Sequence, residues 1–147
     1  MRTVAVILLA FCLVACGDDD DAGPSSGDVV IKMTFDASNA PDIVGTAEVT
    51  EGSDVLGCEQ ATALRTATPD DPEGRAIDVF TATCEEGQRS GTFDIAMTFE
   101  DIDLGTWEVT ATAGDFDALT GGGDFSVDAE TSDQATTLTG SVSYEGS

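Results

Sequence analysis

GTFDIAMTFE, Gly91–Glu100, sets Phe93, Ile95, Met97 and Phe99 on every second position, with Asp94, Thr98 and Glu100 between them. Successive side chains of a β-strand point to opposite faces, so this period of two predicts a strand with one face in a core and the other in water. The period recurs on both sides of the stretch. Upstream, DVVIKMTFD, Asp28–Asp36, places Val29, Ile31, Met33 and Phe35 opposite Lys32 and Thr34, and DIVGTAEVT, Asp42–Thr50, turns Ile43, Ala47 and Val49 inward. Downstream, GTWEVTATA, Gly105–Ala113, sets Trp107, Val109 and Ala111 against Thr106, Glu108 and Thr110. GDFSVDAE, Gly123–Glu130, adds Phe125 and Val127, and TTLTGSVSYE, Thr136–Glu145, adds Leu138, Val142 and Tyr144.

Turn-forming residues separate these runs: NAPD from Asn39, TPDDPEG from Thr68, EEGQRSG from Glu85, DLG from Asp103 and TGGG from Thr120. No sustained helical stripe interrupts them. Seven or eight short strands with aliphatic and aromatic residues inside and Thr or acidic residues outside predict an all-β domain, either an antiparallel β-barrel of about eight strands or a two-sheet sandwich. Period and turn spacing do not separate the two. The least strand-like part is EQATALRTATPDDPEGRAI, Glu59–Ile77.

The chain has 147 residues with 29 acidic against 5 basic side chains, a formal charge of −24. Nucleic acid and anionic bilayers are held by Lys and Arg that neutralise phosphates, so a basic docking surface for either is excluded. Such acidity keeps a surface protein soluble, and it also suits a high-salt habitat. The sequence contains no histidine, which removes the commonest general base near neutral pH, the commonest metal ligand and every Ser-His or Cys-His nucleophile pair. Paired carboxylates of a glycosidase kind would remain, but so many acids in a short chain produce close pairs by chance. The expectation is a non-enzymatic protein without a cofactor.

Met1 and Arg2 precede the apolar run VAVILLAFCLV, Val4–Val14, and small Ala15. This is a signal-peptide layout, shorter than the roughly 20 residues a membrane span needs. Its end, Leu13-Val14-Ala15-Cys16, resembles the lipobox of bacterial lipoproteins, in which the cysteine receives diacylglycerol, the chain is cut before it and the new amine is acylated, palmitate being the expected chain. The resemblance implies a signal peptide over 1–15 and a mature protein anchored to the membrane of the cell or to the outer membrane through lipid on Cys16. Two or three acyl chains hold such a protein durably, at about 0.8 kcal/mol per buried CH₂. GDDDDAGPSSG, Gly17–Gly27, has nothing to bury and reads as a solvated spacer, so the domains are expected as 16–27 linker and 28–147 folded unit. Consecutive Asp18–Asp21 do not converge on one ion as spaced loop ligands do.

Cys12 leaves with the signal peptide, so Cys58 and Cys84 remain, and in an exported chain a leftover even pair predicts a disulfide. A redox pair would want Cys-x-x-Cys spacing, which is missing.

From Gly52 to Tyr144 the chain resembles small secreted bacterial proteins of unknown function. The resemblance rests on GSDVLGCEQ, Gly52–Gln60, and on FTATCEEGQRSGTFDIAMTFE, GTWEVTATAGDFDALTGGGDFSVD and LTGSVSY. These are similar in turn to the plant allene oxide cyclase and dirigent families, eight-stranded antiparallel barrels. The resemblance implies a barrel. No position here matches a catalytic residue of either plant family, and Ala111-Thr112-Ala113-Gly114 stands where similar chains carry a glycine-rich turn.

Candidate sites are few. GDFDALTGGGDF, Gly114–Phe125, reads as a glycine-rich loop in which Asp115, Asp117 and Asp124 are candidate oxygen ligands for calcium, though the EF-hand order is missing and a plain turn is the simpler reading. Asp101 and Asp103 of EDIDLG read as turn residues. Trp107, Phe116 and Tyr144 are the aromatic candidates for a ligand cavity, with core packing as the alternative for each. Two functions follow: a lipid-anchored, non-enzymatic envelope domain that binds a partner or small ligand, or a barrel enzyme acting on a small apolar or carbohydrate molecule. The second needs an inward Asp or Glu with a raised pKa.

Overall fold

A computed structural model describes residues 25–36, 38, 42–128, 130 and 134–145. Cys16, the segment 1–15, the spacer as far as residue 24 and the turn residues 39–41 lie outside them. Eight strands follow one another: β1 Ser26–Asp36, β2 Val44–Glu51, β3 Cys58–Ala67, β4 Ile77–Gly87, β5 Gly91–Phe99, β6 Leu104–Gly114, β7 Leu119–Val127 and β8 Thr136–Tyr144. Each pairs antiparallel with the next, and β1 pairs with β8, so the sheet closes into a barrel and the sandwich is ruled out. An eight-stranded barrel is just wide enough for side chains to fill, and it leaves no sheet edge open.

The alternation in GTFDIAMTFE places its side chains as the period requires. Phe93, Ile95 and Met97 are buried in the barrel. Val29, Ile31 and Met33 of β1 and Leu138 and Val142 of β8 meet them from the other side. Burying an aliphatic side chain of this size contributes about 1.5–3 kcal/mol. Small residues face the barrel where large neighbours need room. Phe35 pairs with Gly45, and Gly105 stands between Phe99 on β5 and Phe125 on β7, whose rings meet edge-on with centroids 4.9 Å apart. A Cβ on Gly105 would lie 2.8 Å from the Phe125 ring, so the glycine is what admits that pair.

Trp107 uses the same device on a larger scale. It pairs with Gly123 of β7, which pairs in turn with Gly140 of β8, and the indole Nε1–H donates to the Thr139 carbonyl on β8 at 3.3 Å. The side chain therefore reaches across β7 to β8, while a Cβ on Gly123 would run into the Thr139 carbonyl and the Gly140 backbone, so the glycines let β7 and β8 approach closely there. This overturns the reading of Thr120–Gly123 as a turn: the glycines lie within β7, and the turn is Asp115–Ala118 just before it. A glycine run signals a bend when read alone, but here it lies in a strand packed close against the backbones of its neighbours.

Two further expectations are corrected. Ala111 does not face inward: Asp94 pairs with Ala111 and Ile95 with Val109, so Thr110 is an extra residue that flips the parity and turns Ala111 to solvent. The stretch from Glu59 is strand over more of its length than expected; β3 runs to Ala67, with Ala61 and Ala63 buried, and the connection is 68–76. Inward alanines give β3 too weak a hydropathy contrast to show as a strand.

The two ends of the barrel differ. At one, α1 (Ser53–Leu56) lays Val55 and Leu56 over the core, and the Tyr144 hydroxyl donates to the Leu56 carbonyl at 2.7 Å. Phe116 is fully buried there against Phe93, centroids 5.0 Å apart, and the Arg89 guanidinium sits 3.9 Å over the Tyr144 ring. The Cys58–Cys84 disulfide joins β3 to β4 at this helix end, with Cα atoms 5.9 Å apart. At the other end, the loop end, Phe35 and Phe80 stack with centroids 4.7 Å apart above Met33 and Met97. Among the described residues no helix is long and apolar enough to cross a membrane.

Candidate functional site

The loop end holds a cavity of about 150 Å³. Phe35 reaches it from the end of β1, Phe80 from β4, Met97 and Phe99 from β5, and Val127 from the end of β7. Ile102 of the β5–β6 turn also lines it and is 88% exposed, so the wall continues to the surface. That turn is held by Glu100 and Asp101 N–H groups donating to the Leu104 carbonyl and by the Val127 N–H donating to the Asp103 carbonyl. Asp101 and Asp103 thus serve the turn, as their sequence context predicts.

Asp78 breaks the apolar lining. It pairs with the buried Met97 and shares the inward face of β4 with Phe80, so its carboxylate enters the cavity. Its side chain is 26% exposed, and the Arg65 guanidinium lies 3.8 Å away. Burial raises its pKa above the usual carboxylate value, and the nearby Arg65 only partly offsets that. Among the described residues it accepts no hydrogen bond. Gln134 and Thr136 supply the other polar atoms of the wall, the Thr136 hydroxyl donating to the Gln134 carbonyl at 3.2 Å.

The contrast with other acids is sharp. Asp115 takes the Ser90 N–H at 2.9 Å and the Ser90 hydroxyl at 3.0 Å, and these bonds lower its pKa. Asp71 binds the Arg75 Nε–H at 2.6 Å, which lowers its pKa and pins the β3–β4 connection. Asp94 accepts from Thr81 at 2.6 Å on the outer wall. Each of these carboxylates has its charge compensated by hydrogen-bond donors; Asp78 has the Arg65 guanidinium at 3.8 Å, no hydrogen bond among the described residues, and a largely apolar wall.

The sequence candidates fall elsewhere. Asp115 and Asp117 lie on the β6–β7 turn at the helix end, whereas Asp124 lies on the outer face of β7 opposite Thr106 and Thr139, so the three do not converge. Among the described residues no group of three or more Cys, Asp or Glu side chains is placed to hold a metal. Trp107, Phe116 and Tyr144 are buried in the core, and none lines the loop-end cavity. Asp78 itself escaped the sequence reading. The signal was present in IDVFTATC, Ile77–Cys84, where Phe80, Ala82 and Cys84 share its parity, but without a strand assigned there the acid read as one of many. No protein-family model and no curated protein matches this chain.

Proposed function

We propose that the protein is a lipid-anchored envelope protein whose barrel binds a small, largely apolar molecule at its loop end without transforming it. The observation that carries the reading is the cavity between Phe35, Phe80, Met97 and Phe99. A cavity of about 150 Å³ lined by apolar side chains takes a ligand the size of benzene. The anchor rests on Leu13–Cys16 and the short acidic spacer that leads to β1. Asp78 is the inward acid with a raised pKa that the enzyme alternative needs, but glycosidase-type acid–base chemistry uses two carboxylates, and among the described lining residues there is one.

The binding is tested by titrating toluene into protein labelled at the methionine methyl groups. The Met97 signal should shift in a saturable way, and an unmoved signal at toluene saturation refutes the cavity as a binding site. The anchor is tested by intact mass of the membrane fraction, expected to begin at Cys16 with a diacylglyceryl addition; a soluble chain with another start refutes it.

A further inference from the structure

We propose that the ligand of the loop-end cavity is a small apolar amine, its ammonium group seated against the Asp78 carboxylate. The inference rests on the binding reading above and narrows it to a chemical class. Three features of the molecule converge on a cation. Asp78 is the only ionisable side chain among the described residues lining the cavity, and it accepts no hydrogen bond from any of them. A half-buried carboxylate without donors is left partly desolvated, and an ammonium bringing two or three N–H donors to it restores what burial removed.

The wall beside it is aromatic. Phe35 and Phe80 lie tilted by 32° with centroids 4.7 Å apart, and Phe99 lines the same space, so a cation there has rings for neighbours. The formal charge of −24 raises the local concentration of small cations around the whole barrel and disfavours anions. Among the described residues Arg65 is the one charged group that faces Asp78, from the neighbouring β3, where it pairs with Phe80 and shares the inward face of Ala61 and Ala63, and at 3.8 Å it makes only a loose pair. It is not among the residues lining the cavity, so the Asp78 carboxylate keeps room for an ammonium there.

Benzylamine, benzyl alcohol and toluene, matched in shape and differing in charge, separate the possibilities. The Met97 methyl signal reads binding of each to the full chain at neutral pH. Benzylamine should bind at least about tenfold more tightly than benzyl alcohol, the range for a hydrogen bond to a charged group. Asp78→Asn should remove that preference and leave toluene affinity within about twofold. Equal binding of the amine and the alcohol to the unaltered protein, or an undiminished amine preference in Asp78→Asn, overturns the proposal while leaving apolar binding intact. Failure of toluene and benzylamine alike overturns the cavity reading itself. The amine-against-alcohol comparison needs no variant, so it decides the matter even if Asp78→Asn folds poorly.

Discussion

Removing the bridge between Cys58 and Cys84 should cost the barrel a large part of its stability, and the size of the loss follows from the fold. The two residues are 26 apart in sequence. In the chain-entropy treatment, closing a loop of that length removes from the unfolded chain a freedom worth about 3.5 kcal/mol at 25 °C. A domain of about 120 residues unfolds with an entropy near 0.25 kcal/mol/K, so the loss corresponds to a fall of about 14 °C in Tm. The bridge also sits where the β3–β4 ladder is irregular, with register shifts between Cys58 and Gln60 and between Gln60 and Ala61. It immediately follows α1, whose Leu56 carbonyl accepts the Tyr144 hydroxyl. Thermal unfolding followed by circular dichroism, on oxidised protein, on reduced protein and on the Cys58→Ala/Cys84→Ala double variant, measures the loss. Reduction is the cleaner arm, because Cys58 is fully buried and its truncation adds a packing loss of its own. Amide exchange in the oxidised and reduced forms shows where the loss falls, with Val55 and Leu56 expected to lose protection first. A fall of less than about 4 °C on reduction would refute the reasoning, since it would mean that the unfolded chain already holds the β3–β4 pair together without the sulfur link.

Three other perturbations have opposite signs or distinct signatures. Ala118 is a non-glycine residue at φ 69 on the β6–β7 turn, so Ala118→Gly should stabilise by about 0.5–1 kcal/mol, the relieved left-handed strain less the entropy of glycine; a lower Tm counts against it. Trp107→Phe removes the Nε1 donor and leaves the Thr139 carbonyl without that bond, costing about 2–3 kcal/mol by denaturant melts, whereas a cost under 1 kcal/mol would show that the indole bond is dispensable. For Asp78, folding raises the pKa, so the folded state holds its proton more tightly and stability falls as pH rises through the interval above the unfolded value. The Tm difference between Asp78→Asn and the unaltered protein should therefore grow in favour of the variant from pH 4 to pH 7; a constant difference sinks this reading.

How much of this was legible from residues alone depends on side-chain size. Where large apolar and polar residues alternate, as in Phe93–Phe99 or Val29–Phe35, the strand and its inward face could be read directly. Where inward positions hold alanine or glycine the signal vanished, which is why β3 and the Thr120–Gly123 part of β7 were misplaced. Those small residues are set by partners distant in sequence: Gly123 answers to the β8 backbone at Thr139 and Gly140, and Gly45 to Phe35 across a hairpin. The Thr110 bulge is likewise invisible to a strict count of two, because parity changes at a residue that looks like any other outward threonine. Barrel closure was undetermined by period and became visible only through the pairing of β1 with β8. The cavity has no sequence signature of its own: the large, singular side chains Trp107 and Tyr144 serve packing, and the lining falls to four ordinary phenylalanine and methionine positions in strands that also read as core.

The asymmetry of the barrel's ends has a geometrical outcome for an anchored protein. Ser25 and Tyr144 meet at the helix end, the Tyr144 N–H donating to the Ser25 carbonyl at 2.8 Å. Ser25 therefore lies beside α1, at the end the cavity does not occupy. β1 has 11 residues and rises about 3.3 Å for each, so with the usual tilt of barrel strands the two ends stand about 25 Å apart. On the proposed lipid anchor at Cys16, which precedes Ser25 in the chain, the helix end would be the end nearer the bilayer; Phe35, Asp78 and Ile102 would then face away from it, where a small molecule meets them from the aqueous side without first partitioning into the membrane.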